Sequence, residues 1–149
     1  MYLFESGSER DWRLMDSNSH RSRSENMRRI RSVNTQPELA VRSLAHRLGY
    51  RFRLFSKDLP GRPDLVFPSK RKVIFVHGCF WHQHRSCIDG RTPKSNTDYW
   101  LPKLANNKKR DKRNRSRLVR LGWKCLVIWE CQTEDAKKLK HLLRAFLEP

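Results

Sequence analysis

The sequence predicts an α/β fold in which a mixed central sheet is flanked by helices, and three observations carry that prediction. Apolar residues recur at helical spacing over residues 35–48 and 136–146. Short apolar runs bounded by Gly and Pro stand at residues 51–55, 65–67, 72–76 and 124–129. A long basic helical stretch separates the last two runs, so the element order is αβββαβα, without an internal repeat. A chain of 149 residues has room for one domain around one main core.

Residues 1–20 read as a flexible head, because their Ser, Asn and charged composition cannot bury enough apolar surface to order itself. Residues 21–149 form the single domain. The first helix starts in Asn34-Thr35-Gln36-Pro37-Glu38, where Thr35 and Glu38 match a capping box and Pro37 sits in a first turn that needs no N–H from it. Leu39, Val41, Leu44, Ala45 and Leu48 give its inward stripe, and Gly49 is a suitable terminator. Turn residues at 59–63 and 68–70 separate the first three strands, the third of which is apolar on both faces and so suits a central position. A loop rich in His, Cys, Gly and Pro covers residues 77–97. The basic helix after it is expected to turn Leu118 and Leu121 inward and to stop at Gly122. A buried strand at 124–129 and a helix carrying Ala136, Leu139, Leu142, Leu143 and Phe146 complete the chain.

Charge narrows the partners. Lys plus Arg number 33 against 15 Asp plus Glu, a formal charge of +18 that would repel itself in a compact state unless a polyanion neutralised it. Nucleic acid is the natural partner, and a membrane is not, since no apolar run approaches the roughly 20 residues needed to span a bilayer. The N-terminal residues lack a basic segment followed by an apolar one, so no secretory signal is expected and the protein is placed in the cytoplasm, at the nucleoid when bound to DNA. In such a reducing compartment Cys79, Cys87, Cys125 and Cys131 point to metal ligation or core packing before disulfides.

Chemistry concentrates where the third strand ends. Asp64 opens one strand, and His77-Gly78-Cys79-Phe80-Trp81-His82-Gln83-His84 follows its neighbour. Phosphodiester hydrolysis needs a hard cation, a carboxylate to hold it and a group near neutral pKa to move protons. From residue types alone, the histidines suit that task, metal ligation only, or a solvated loop equally well.

The stretches Leu59-Pro60-Gly61-Arg62-Pro63-Asp64-Leu65-Val66, Val73-Ile74-Phe75-Val76-His77-Gly78-Cys79-Phe80-Trp81-His82 and Gly122-Trp123-Lys124-Cys125-Leu126-Val127-Ile128-Trp129-Glu130-Cys131 resemble the very short patch repair (Vsr) DNA mismatch endonuclease family. Asn26-Met27-Arg28 and the helix start at Thr35 extend the match over residues 21–131, in the same order. The resemblance implies a restriction-endonuclease-like (PD-(D/E)XK) core in which Asp64 and the main-chain carbonyl of Val76 hold Mg2+. The usual acidic-x-Lys element is replaced by Phe75-Val76-His77. It further implies that His82 is the general base, oriented by Asp111, that His77 assists at the phosphate, and that Glu38 lies near the metal through water. Taken by residue type alone, Asp111 is equally a counter-charge in a basic helix and Glu38 a helix cap.

Cys79, His84, Cys87 and Cys131 make a closed S/N/S/S set suited to tetrahedral, structural Zn2+ that would clamp the 77–97 loop to the sheet. His84-Arg85-Ser86-Cys87 carries one residue more than the family pattern. Cys125 reads as a small buried hydrophobe. The resemblance assigns Met27, Phe80 and Trp81 to wedging beside a mismatch, where a poorly stacked step is cheaper to open. Core packing is the other reading of the two aromatics. Arg28, Lys109, Arg110 and Arg113 would contact phosphates.

The implied function is a Mg2+-dependent, strand-specific endonuclease that nicks 5′ to the thymine of T:G mismatches left by 5-methylcytosine deamination. It would act as a monomer on double-stranded DNA, beside mismatch-repair proteins and a cytosine-5 methyltransferase system. Two alternatives stand next to it: a nickase of the same fold with another DNA target, and a non-catalytic zinc-containing DNA-binding module.

Overall fold

A computed structural model describes residues 33–149; the expectations for residues 1–20, Met27 and Arg28 fall outside them. Four strands form one mixed sheet in the order β1 (Arg53–Leu54), β2 (Leu65–Phe67), β3 (Lys72–His77) and β4 (Lys124–Trp129). The pairs β1/β2 and β2/β3 are antiparallel and β3/β4 is parallel. Parallel neighbours need a long crossover, and the 24-residue helix α2 (Thr97–Arg120) supplies it. Helices α1 (Gln36–Arg47) and α3 (Ala136–Leu147) precede and follow the strands.

Alternation along β2 and β3 divides the interior in two. Leu65, Phe67, Ile74 and Val76 point to one face, where they pack with Val41 and Ala45 of α1 and Leu139, Leu143 and Leu147 of α3. Val66, Val73 and Phe75 point to the other and pack with Leu118 of α2. Cys125 packs against this second cluster as a small hydrophobe, but it is half-buried where a buried thiol was expected. As predicted, β3 is central, flanked by β2 and β4.

Several local expectations need correction. Thr35 makes no side-chain cap; the Glu38 carboxylate instead accepts the Asn34 N–H at 2.9 Å, one residue earlier than a capping box requires. Leu39, Leu121 and Ala136 are exposed, because the helical faces that meet the sheet are narrower than the apolar stripes of the sequence. Leu147, not counted among the inward residues, is fully buried. The first strand shrinks from 51–55 to two residues, since Phe55 takes φ +48° and turns the chain out of the sheet. The third runs one residue further, which places His77 within the sheet opposite Trp129.

Candidate active site and metal centre

Strand direction decides where the chemistry collects. Because β2 runs against β3, Asp64 at the start of β2 lies at the same edge of the sheet as His77 at the end of β3 and the chain leaving β4. Beyond the last β2/β3 pair, Asp64 Oδ2 accepts the Val76 N–H at 2.7 Å, so a side chain continues the ladder and fixes the carboxylate against the main chain of Val76. Burial pushes the Asp64 carboxyl up; the Val76 hydrogen bond pulls it partly back, nearby Glu38 adds to the rise, and the net value is about 6.

After β3 the chain folds back on itself. His82 N–H donates to Gly78 O at 3.2 Å, and the His82 ring comes to lie flat on His77, centroids 3.8 Å apart and planes 7° off parallel. From the opposite side α2 delivers Asp111, whose Oδ2 is 2.5 Å from His82 Nδ1. Burial alone would raise the Asp111 carboxyl, but the hydrogen bond with His82 and the positive charge of His82 and Arg110 outweigh it and hold it low. Burial, reinforced by neighbouring His82, pushes His77 down to about 3, so its imidazole is neutral at neutral pH.

Asp64, His77, His82 and Asp111 line one cleft of about 460 Å3, together with Glu38. Glu38 is buried at 5 % exposure and pairs with Arg42 at 3.2 Å. Arg62, Arg110, Arg115 and Asn114 line the same cleft. Two carboxylates lining one cleft, Glu38 buried and Asp64 half-buried and raised well above its ordinary value, are hard oxygen donors that a divalent cation would stabilise. Ligand atoms of His77, His82 and Asp111 also lie within 4.8 Å of one another, although Asp111 already engages Nδ1 of His82.

The second cluster lies next to the first. Ligand atoms of Cys79, His84, Cys87 and Cys131 fall within 4.8 Å of one another. His84 Nδ1 is 3.7 Å from Cys79 Sγ and 3.5 Å from Cys131 Sγ. A tetrahedral zinc with ordinary Zn–S and Zn–N bonds has S···N edges of roughly 3.6 Å, so these residues fit that ion. Burial pushes the thiols of Cys79 and Cys131 up, a shift that a bound cation would reverse. The stretch from His84 to Cys87 forms a turn, with Cys87 N–H donating to His84 O at 3.3 Å. Gly90 makes this loop possible: a Cβ there would stand 2.1 Å from His84 O.

Comparison with known proteins places the sequence in a family. A family model described as DNA mismatch endonuclease Vsr matches residues 15–88. The type II nicking enzyme V.XorIIP of Xanthomonas oryzae pv. oryzae is 54% identical over 123 residues, covering 83% of this chain and 90% of that protein. The chain belongs to the Vsr family. Other relatives are the DNA mismatch endonuclease Vsr of Escherichia coli K12, 43% identical over 85% of this chain and 80% of its own length, and the type II nicking enzyme V.NmeAIP of Neisseria meningitidis serogroup A, 41% identical over 79% and 86%.

Of the residues expected to meet DNA in this Vsr-family chain, Phe80 is buried at 3 % exposure and meets Trp100 edge-on at 5.1 Å. Half-buried Trp81 rests on both rings, at 5.3 Å from Phe80 and 5.5 Å from Trp100. Lys103 Nζ lies 5.7 Å from the Trp81 ring centroid, and Asn107 donates to Trp81 O at 3.2 Å. Arg110 lines the cleft, whereas Lys109 and Arg113 are exposed on α2 without lining it. Sequence reasoning left out Arg62, Asn114 and Gly90. The helical spacing of Asn107, Asp111, Asn114 and Arg115 was the available signal for Asn114, since three- and four-residue steps share a helix face. No helix among the described residues is long and apolar enough to cross a membrane.

Proposed function

We propose that this chain is a DNA-nicking endonuclease of the mismatch-repair type, which cuts 5′ to the thymine of a T:G mismatch arising from 5-methylcytosine deamination. The observation that carries the reading is the convergence in one basic-rimmed cleft of a half-buried carboxylate, Asp64, with an imidazole–carboxylate pair, His82 and Asp111. Family membership and the names of the nicking relatives support action on DNA; the T:G target and the repair role are the narrower part of the proposal.

The residues suit the chemistry as follows. Asp111 accepts from Nδ1 of His82, which fixes the tautomer and leaves Nε2 to take a proton from attacking water. His77, neutral and stacked beneath His82, can donate a hydrogen bond to a phosphoryl oxygen without adding charge. Arg62, Arg110 and Arg115 offset the negative charge of the scissile strand and its neighbours. Asp64 with the Val76 carbonyl would hold Mg2+, with Glu38 behind, and the ion would supply Lewis-acid polarisation of the phosphoryl oxygens. Cys79, His84, Cys87 and Cys131 would hold structural Zn2+. Trp81, backed by Phe80 and Trp100, is the half-buried aromatic placed to wedge a weakened base step.

The test incubates the protein and Mg2+ with strand-labelled duplexes containing T:G, other mismatches or none, beside Asp64→Ala. A nick 5′ to the mismatched thymine, absent from the variant, is expected. Equal cutting of all duplexes points instead to a same-fold nickase with another target, and binding without cutting points to a non-catalytic module.

A further inference from the structure

Trp129 joins the two clusters. It ends β4 in register with His77 and stands two residues before Cys131. Its ring stacks flat on the zinc-set His84, centroids 4.2 Å apart and planes 9° off parallel, and meets His77 edge-on at 5.4 Å and 74°. His77 in turn lies face to face with His82. An unbroken run of ring contacts thus leads from His84 through Trp129 and His77 to His82, and ends in the hydrogen bond to Asp111.

Among the described residues the His77 ring makes no side-chain hydrogen bond; it is held by Phe75 at 5.8 Å, by His82 and by Trp129. A ring held by packing alone takes its position from the neighbours that are themselves fixed. The Trp129 backbone is fixed twice, by the parallel ladder and by its main-chain N–H, which donates to Gln132 Oε1 at 2.9 Å, and its ring is held by the stack on His84. His82 lies on a turn of irregular backbone, where Gln83 takes φ +54°. We propose that Trp129 is a positioning residue that transmits the rigidity of the metal-clamped His84 to the imidazoles His77 and His82. The cluster of three thiols and one imidazole would then set the alignment of the nicking site as well as the stability of its loop. This inference rests on the nicking function proposed above.

The choice of indole is physical. One flat ring system must cover the face of His84 and make a T-shaped contact with His77, and an aliphatic side chain offers neither a stacking face nor a polarised edge. A displacement of about 1 Å in a catalytic group costs on the order of 100-fold in rate, so a modest slackening of His82 is measurable.

The test compares zinc-loaded wild type, Trp129→Leu and Trp129→Phe. Zinc per chain, DNA affinity, single-turnover nicking of a T:G duplex and the imidazole NMR signals of His82, which stands one ring removed from Trp129, are recorded for each. With zinc and DNA affinity near wild type, Trp129→Leu is expected to nick at least roughly tenfold more slowly and to show His82 signals broadened or doubled, like those of wild type stripped of zinc. Trp129→Phe, which keeps a ring, recovers most of the rate and a single His82 signal. A zinc-loaded Trp129→Leu with one sharp His82 signal and an unchanged rate overturns the proposal, as does a rate loss that merely follows lost zinc. If Trp129→Leu does not fold, stripping zinc from wild type decides: unaltered His82 signals also overturn it. If wild type nicks nothing, the functional reading fails while the NMR comparison still judges the role of Trp129.

Discussion

Replacing Asp64 with asparagine should make the magnesium-free protein more stable, although it removes the proposed metal carboxylate. Burial raises this carboxyl from 3.8 to about 6, so the folded state holds its proton over a pH range in which the unfolded chain has released it. A group raised on folding favours the fold fully below its unfolded pKa, and that contribution is lost as pH rises through the folded value. The difference corresponds to about 3 kcal/mol, at 1.36 kcal/mol for each unit of pKa. Above pH 6 the ionised carboxylate therefore costs the metal-free fold up to about 3 kcal/mol. Asparagine keeps the shape and an oxygen to accept the Val76 N–H, and it carries no charge to desolvate. Thermal unfolding followed by circular dichroism at pH 5, 6.5 and 8, in magnesium-free buffer without chelator to spare the thiol cluster, measures this. At pH 8 the variant should melt roughly 6–12 °C above wild type, and the gap should narrow to about half at pH 5, which lies between the unfolded and folded values. Adding Mg2+ should raise wild type alone. A variant no more stable than wild type at pH 8, or a gap independent of pH, would refute the desolvation argument.

Other expectations follow from the same geometry. His82→Ala and Asp111→Asn should each lower single-turnover nicking by about 100-fold or more while DNA affinity, read by anisotropy, changes little. Gly90→Ala drives a Cβ into His84 O, so zinc release to a chromogenic chelator should become at least several-fold faster than in wild type. Trp81→Ala should narrow the preference for T:G over paired duplex by about tenfold in competition binding, since base stacking on an aromatic ring contributes roughly 1–3 kcal/mol. Binding to any duplex should weaken steeply between about 50 and 200 mM salt, and a flat titration would remove the basic face of α2 from the contact.

Much of this site was legible in the sequence, because its residue types are rare in combination. Three thiols and an imidazole on one loop and one strand end have few other uses, and the structure brings all four together. Asp64, His77, His82 and Asp111 likewise meet in one cleft. What the sequence concealed depends on direction and close approach. Nothing in the letter G at position 90 announces that a neighbouring carbonyl fills the space of its Cβ. The apolar stripes of α1 and α2 overstated the core, since Leu39 and Leu121 satisfy the helical period yet face away from the sheet. Glu38 looked like half of a capping box and is instead a buried carboxylate shared between Asn34, Arg42 and the cleft. Trp129 reads as one more apolar strand residue until the parallel register sets it opposite His77.

That register explains why both clusters stand together. A parallel β3/β4 pair ends both strands at one edge of the sheet, and an antiparallel β2 begins there, so three successive chain passages deliver side chains to the same place. The residues that follow β3 must supply both the imidazole over the cleft, His82, and the ligands Cys79, His84 and Cys87, within a loop that has no strand of its own to hold it. A loop so short in regular structure needs a fixed point, and Cys131, leaving the neighbouring strand on the far side of α2 in the chain, provides one. The arrangement gives a substitution at Cys131 a predictable signature. Cys131→Ser should loosen the loop and slow nicking sharply while leaving the Asp64–Val76 contact intact, because that contact depends only on β2 and β3. The pH-dependent stability gain from Asp64→Asn should therefore persist when the substitution is made in the Cys131→Ser protein, and its disappearance would mean that the two clusters are coupled through the sheet itself and not through the loop.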